Sequence, residues 1–219
     1  TKLETIVNRI HEVRTRFEVL RRDAEIERLE ALLGGAEAKA ADARFAARVR
    51  ELESDFAFVA QCNVGSESMS DADVARLARI AVTPWRRHFD DRLGLSHGEL
   101  ARLAALPPAR LPAVERLLAD RPEHIVGHGA AEPTLDPAWG FTLKPTAVRF
   151  NFGELHNLSV RRGTLTDEER AIINQHIVQT IVMLESLPFP RHLRRVPEYA
   201  GTHHETLTGS GYPRGLTAA

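Results

Sequence analysis

The C-terminal run of this 219-residue chain carries its strongest chemical signal. His203 and His204 are adjacent, Glu205 follows at once, and a glycine-bracketed loop, Gly209-Ser-Gly-Tyr-Pro-Arg-Gly215, comes a few residues later. Neutral imidazole is the commonest metal-ligating side chain. The loop's glycines permit backbone angles that other residues avoid, while Pro213 fixes one of its torsions. Such a loop can hold Tyr212 and Arg214 at the mouth of a site. Upstream, His176 lies in an apolar helical stretch beside Ile172 and Ile173, a setting in which a lone histidine reads as a hydrogen-bonded residue in or beside the core.

Taken together, His203-His-Glu205, four further residues and Gly209-Ser-Gly-Tyr-Pro-Arg-Gly-Leu216 resemble the signature of the HD-GYP family. Gly163-Thr-Leu-Thr-Asp-Glu-Glu-Arg170 is similar to that family's helix start, and His176 falls where the family places another metal-ligating histidine. The resemblance implies an all-helical, metal-dependent phosphodiesterase fold whose members hydrolyse cyclic di-GMP. It implies metal ligation by His176, His203 and His204, with a divalent transition metal, Fe or Mn, as cofactor. Gly209, Gly211, Tyr212, Pro213 and Arg214 would form a loop that meets substrate or a partner.

One departure bears on activity. The family is named for a His-Asp metal-binding pair upstream of the Leu-Thr helix start, and this chain has no such dipeptide. Ungapped counting puts Ala147 and Val148 in those places and Asn151 where an assisting lysine belongs. Neither Ala147 nor Val148 can bind a metal, and the family's later aspartate ligand is expected beyond Ala219. A phosphodiesterase of this kind uses paired cations, normally bridged by a carboxylate, to activate hydroxide and neutralise the phosphate. Three imidazoles suffice for one ion. Glu154 and His156 are candidate replacement ligands of generic spacing. Arg161, Arg162, Arg191, Arg194, Arg195 and Arg214 are candidate phosphate contacts or plain solvated residues. Two functional readings stay open. One is a degenerate signalling output module that binds metal, cyclic dinucleotide or a protein partner with little or no turnover. The other is an active cyclic di-GMP phosphodiesterase with a non-standard metal set.

Composition narrows the setting. A net charge of -1 argues against coating nucleic acid or anionic membrane. The single cysteine, Cys62, excludes an internal disulfide and suits a reducing, cytoplasmic compartment as a small buried side chain. No stretch reaches the length of a membrane span, and no secretory signal is legible. The chain starts on Thr1 rather than Met, so an upstream region or a start residue is expected before it.

The elements that must position these residues fall into three stretches, and the fold expected is all-α. In 1–64, Leu3, Ile6, Ile10, Val13, Phe17 and Leu20 form a three-four seam, Gly34-Gly35 interrupts it, and Phe45, Val49, Leu52, Phe56 and Val59 resume it. This predicts a helical hairpin or signalling coiled coil, closed within the chain or as a homodimer. Residues 65–146 read as the helical and irregular front half of the domain, or as a linker. Ser70-Asp-Ala-Asp73 and Ser96-His-Gly-Glu99 are capping boxes; Thr83-Pro84 reads as a helix start running to Gly94, and 113–118 as a short helix. Later prolines and glycines break the pattern, leaving His124 and His128 in a loop. Residues 147–219 hold the motifs, with Thr166-Asp-Glu-Glu169 capping the helix of His176 and Val196-Pro197 starting the one that leads to the histidine pair.

Overall fold

In the computed structural model, which describes residues 6–65, 68–129 and 137–218, the first seam closes inside the chain. Helices α1 (Ile6–Leu33) and α2 (Ala38–Val64) form an antiparallel hairpin. Gly35 makes the turn at φ +86°, an angle that disfavours any residue with a Cβ. Val13, Phe17 and Leu20 pack with Leu52 and Val59 in one buried cluster, and the Phe17 and Phe56 rings lie 5.4 Å apart. Each fully buried aliphatic here contributes roughly 1.5–3 kcal/mol. Leu3 lies outside the described residues.

Helices α3 (Asp71–Ala81) and α4 (His97–Leu103) start at the expected capping boxes, where Ser70 and Ser96 each exchange hydrogen bonds with the residue three positions on. The stretch after Thr83 is different from expectation. Strand β1 (Pro84–Arg87) replaces the predicted helix and pairs antiparallel with β2 (Ala113–Arg116), itself read as helical, in the register Pro84↔Arg116 and Arg87↔Ala113. The cause is a non-local demand. Arg87 is 9% exposed, and its Nε donates to Glu115 Oε1 across the ladder at 2.8 Å. Leu117 and Leu118, just past β2, then enter the core with Leu77 and Ile80. A further correction is small: Pro122–His124 forms a 3-10 turn before the two-residue strand β3 (Ile125–Val126). After β4 (Phe150–Asn151) comes α5 (Glu154–Leu158), then α6 (Asp167–Glu185) and α7 (Val196–Thr202). The described residues are thus predominantly helical, with strand pairings no wider than two strands. Among them no helix is long and apolar enough to cross a membrane.

Two compact units result. Unit 1 comprises 1–125 and 151–164; unit 2 comprises 126–150 and 165–219. Unit 1 carries a dense charge network. Glu154, 2% exposed, accepts from Arg16 Nη1 at 2.8 Å and from the Ala119 N–H at 2.9 Å. Glu115 also accepts from Arg121 at 2.7 Å, and Asp91 lies 3.1 Å from Arg87. Burial works to raise the Glu115 and Glu154 carboxyls, but the arginine hydrogen bonds and charges outweigh it and leave both below the usual carboxylate range. These groups line a cavity of about 430 Å³ together with Trp85.

Unit 2 is smaller. Ile177, Val178 and Ile181 of α6 bury against Trp139, Phe141, Leu143 and Tyr212. Thr166 caps α6, its Oγ1 accepting from the Glu169 N–H at 3.2 Å while the Glu169 carboxylate accepts from the Thr166 N–H at 3.0 Å.

Candidate metal centre

His176 sits directly before the buried pair Ile177 and Val178 but on the outer side of α6, where it is exposed. That differs from a residue pointing into the core: the helix turns its aliphatic face inward and leaves the imidazole at the surface. Its Nδ1 lies 2.5 Å from the Ile173 carbonyl. Only a protonated nitrogen can donate to that oxygen, so the contact assigns Nδ1–H and leaves the Nε2 lone pair facing outward. His203, at the C-terminal end of α7, repeats the device with Nδ1 2.7 Å from the Ala200 carbonyl.

Close packing of α7 on α6 brings the pair to His176. Gly201 is buried at this crossing, and a Cβ there would lie 2.9 Å from Ile181 Cγ1. His204 Nε2 comes to 3.4 Å from His176 Nε2, and the His203 and His204 rings have centroids 3.9 Å apart. The three residues offer nitrogens that all lie within 4.8 Å of one another. Ligands at ~2.0–2.1 Å around one tetrahedral ion stand about 3.3–3.4 Å apart, so the His176–His204 spacing already fits and His203 has at most about 1.5 Å to close. The donor set therefore fits a single borderline transition ion. Loss of solvation, followed by repulsion from His203 and His176, holds His204 below the usual imidazole range, which favours the neutral ligating form.

The glycine loop braces this cluster. Tyr212 stacks on His204, with centroids 4.6 Å apart and planes 12° from parallel, and its N–H donates to the His204 carbonyl at 3.2 Å. Gly211 is required by proximity: a Cβ would lie 2.5 Å from Glu205 Cα and 2.6 Å from the His204 carbonyl oxygen. Gly209 and Gly215 have positive φ. Pro213 is buried, and its carbonyl accepts from the Thr142 N–H at 2.7 Å. Arg214 Nε donates to the Trp139 carbonyl at 3.0 Å, and its guanidinium lies over Phe141.

Glu205 is not in the histidine cluster. Its two carboxylate oxygens accept from the Arg214 N–H at 2.7 Å and the Leu216 N–H at 2.8 Å, pinning the loop. Sequence reasoning gave neither Glu205 nor Gly201 these roles. The one available signal was the presence of Glu205 inside a motif whose other letters carry chemistry; Gly201 lies just outside it.

Among the described residues no aspartate, glutamate or cysteine joins the three histidines. Ala147 and Val148 lie in irregular chain just before β4. Asn151 uses its Oδ1 to accept from the Gly153 N–H at 2.9 Å. Glu154 is corrected as a replacement ligand, because its carboxylate is held by Arg16 and Ala119 within unit 1. His156 also belongs to unit 1, and its N–H donates to Asp120 at 3.1 Å.

Comparison with known proteins places this geometry. Residues 112–219 match the HD domain family. The chain is 29% identical over 137 residues to the 3'3'-cGAMP-specific phosphodiesterase 1 of Vibrio cholerae serotype O1 (strain ATCC 39315 / El Tor Inaba N16961), an alignment covering 60% of this chain and 31% of that protein. It thus spans about a third of the curated relative. No solved structure matches. Over residues 112–219 the chain is thus similar to the HD domain family, and over 137 residues to a phosphodiesterase.

Proposed function

We propose that unit 2 is a degenerate output module of cyclic-dinucleotide signalling, which binds one divalent transition metal through His176, His203 and His204 and has little or no turnover. The observation carrying this reading is the composition of the cluster: three convergent imidazole nitrogens with no carboxylate among the described residues in the group. A bound ion supplies Lewis-acid polarisation and lowers the pKa of its water. The chain's own residues do the rest. Ile173 and Ala200 carbonyls fix the ring tautomers, Tyr212 holds the His204 plane, and Glu205 sets the loop. Nothing in the cluster bridges a second cation, so the charge clamp for a phosphodiester in-line displacement is incomplete. Fe or Mn is proposed from the HD-GYP resemblance; imidazole donors also suit Zn. Gly209, Gly211, Tyr212 and Arg214 would face the dinucleotide or a signalling partner, while Pro213, expected to join them, is buried.

The alternative, an active phosphodiesterase with a non-standard metal set, is favoured by the similarity to a 3'3'-cGAMP-specific enzyme. Incubating protein loaded with Mn, Fe or Zn with cyclic di-GMP and with 3'3'-cGAMP separates the two. The degenerate reading expects saturable binding of about one metal per chain, abolished by His204→Ala, without product. Metal-dependent linear dinucleotide that disappears in His204→Ala would establish the enzyme instead.

A further inference from the structure

The cavity of unit 1 takes no part in metal binding, since every residue lining it belongs to unit 1. Its volume of about 430 Å³ is that of a small-molecule site. Trp85, Leu93, Leu95 and Leu103 give it apolar surface. Six carboxylates and four guanidiniums complete the wall, so negative charge exceeds positive by at least one even with His124 protonated. Among these carboxylates Glu12 is loosely held. Its Oε2 lies 3.9 Å from Arg16 Nη2, beyond hydrogen-bond reach, and its side chain is 66% exposed. Two donors in the same wall lack acceptors among the described residues. Arg87 is 9% exposed; its Nε donates to Glu115 and its Nη1 to the Phe89 carbonyl, but Nη2 makes no hydrogen bond. Oxygens of Glu115 and Asp91 lie 2.8 and 3.1 Å from Nη2, yet out of line with its N–H bonds. Trp85 Nε1 is likewise buried and unpartnered. Buried donors of this kind are rare in folded proteins, and each calls for an acceptor.

We propose that this cavity binds a small organic ammonium ion that also carries an uncharged oxygen acceptor and a short aliphatic group. The excess of carboxylates sets the sign of the charge, with Glu12 receiving the ammonium. The neutral oxygen accepts from Arg87 Nη2 or Trp85 Nε1, and the aliphatic group covers Leu95 and Leu103. A carboxylate in place of the neutral oxygen could reach the same donors. It would bring a further negative charge beside Glu115 and Asp91, which already flank Arg87, so simple anions are excluded and free amino acids disfavoured. The inference is independent of metal binding by unit 2.

Calorimetric titration of the full chain with four compounds of one shape tests it. L-Leucinamide has the ammonium, the neutral oxygen and the aliphatic group. 3-Methylbutylamine lacks the oxygen, 4-methylpentanamide lacks the ammonium, and L-leucine exchanges the amide for a carboxylate. Saturable binding of leucinamide is expected, about tenfold tighter than that of each of the other three. Glu12→Gln should weaken leucinamide about fivefold and leave 4-methylpentanamide unchanged. Thr15 is exposed on α1 and lines the cavity, so Thr15→Phe should block leucinamide without lowering the unfolding midpoint. In Trp139→Phe, leucinamide should shift the emission of Trp85. Absence of saturable leucinamide binding overturns the proposal, as does binding that Thr15→Phe leaves intact. Equal affinity for any of the other three compounds overturns the ligand class.

Discussion

The two units treat their polar side chains in opposite ways. In unit 1 the buried and half-buried charges engage one another: Arg16 with Glu154, Arg87 and Arg121 with Glu115. In unit 2 the histidines use one ring nitrogen each on a backbone carbonyl, at His176 and His203, and His176 turns the other to within 3.4 Å of His204 Nε2 in an exposed cluster. A buried charge must be satisfied or the fold suffers. A row of lone pairs left free at the surface does nothing for stability, and its arrangement calls for a chemical explanation. The first unit's ionisable groups therefore read as architecture and the second's as a site.

The sharpest break of that contrast is substitution in both networks. Glu154→Ala strands Arg16 and is expected to destabilise unit 1 by about 3–5 kcal/mol. His176→Ala should leave the denaturation midpoint of unit 2 nearly unchanged. Each unit has one of the two tryptophans, Trp85 and Trp139, so urea unfolding followed by fluorescence in Trp139→Phe and Trp85→Phe backgrounds reads them separately. A large loss in unit 2 from His176→Ala would collapse the distinction.

Metal comes next in size. An ion at one hundred times its dissociation constant should stabilise the protein by about 2.7 kcal/mol, seen as a raised melting temperature. The gain should vanish in His203→Ala and His204→Ala and persist in Glu205→Gln only to the extent that the loop keeps its shape. Equal metal stabilisation in the histidine variants would move the ion elsewhere.

Gly201→Ala probes how the cluster is assembled. The added methyl meets Ile181 at 2.9 Å, and forcing α7 away should cost about 1–3 kcal/mol while weakening metal affinity. Unchanged affinity, measured by calorimetric titration, would show that the crossing does not set the histidine spacing. Smaller still is the capping term: Thr166→Ala is expected to cost about 1 kcal/mol of unit 2 stability.

Acid should also separate the units. The folded carboxyls of Glu115 and Glu154 lie below their ordinary value, so the stability they lend is fully present above about pH 4.3 and lost as pH falls through the folded value. Trp85 fluorescence between pH 6 and 2 should report that loss, and Glu115→Gln should flatten it.

Legibility in the sequence followed the range of the interaction. Capping boxes at Ser70, Ser96 and Thr166 are local patterns, and each starts its helix. The hairpin was legible because its seam and glycine turn are contiguous. The strands at Pro84 and Ala113 were not, because local propensity has no access to a partner almost thirty residues away, and only that partner lets Arg87 be buried. At the candidate centre the histidines stood out by type and spacing. The glycine that lets their helix approach, and the glutamate that fixes their loop, carried no independent signal. Glu154 attracted attention as a ligand because spacing cannot show that an arginine more than a hundred residues earlier already holds it.

The path of the chain limits how this protein can be rearranged. Leu117, Leu118 and Leu158 lie inside the family-matched segment, yet their side chains complete a core whose other members begin at Val13. A recombination event that joined residues 112–219 to a different N-terminal partner would carry three orphaned leucines with it. The hairpin and the family-matched segment are therefore not interchangeable cassettes. Changes in either are expected to arise by substitution within their inherited pairing.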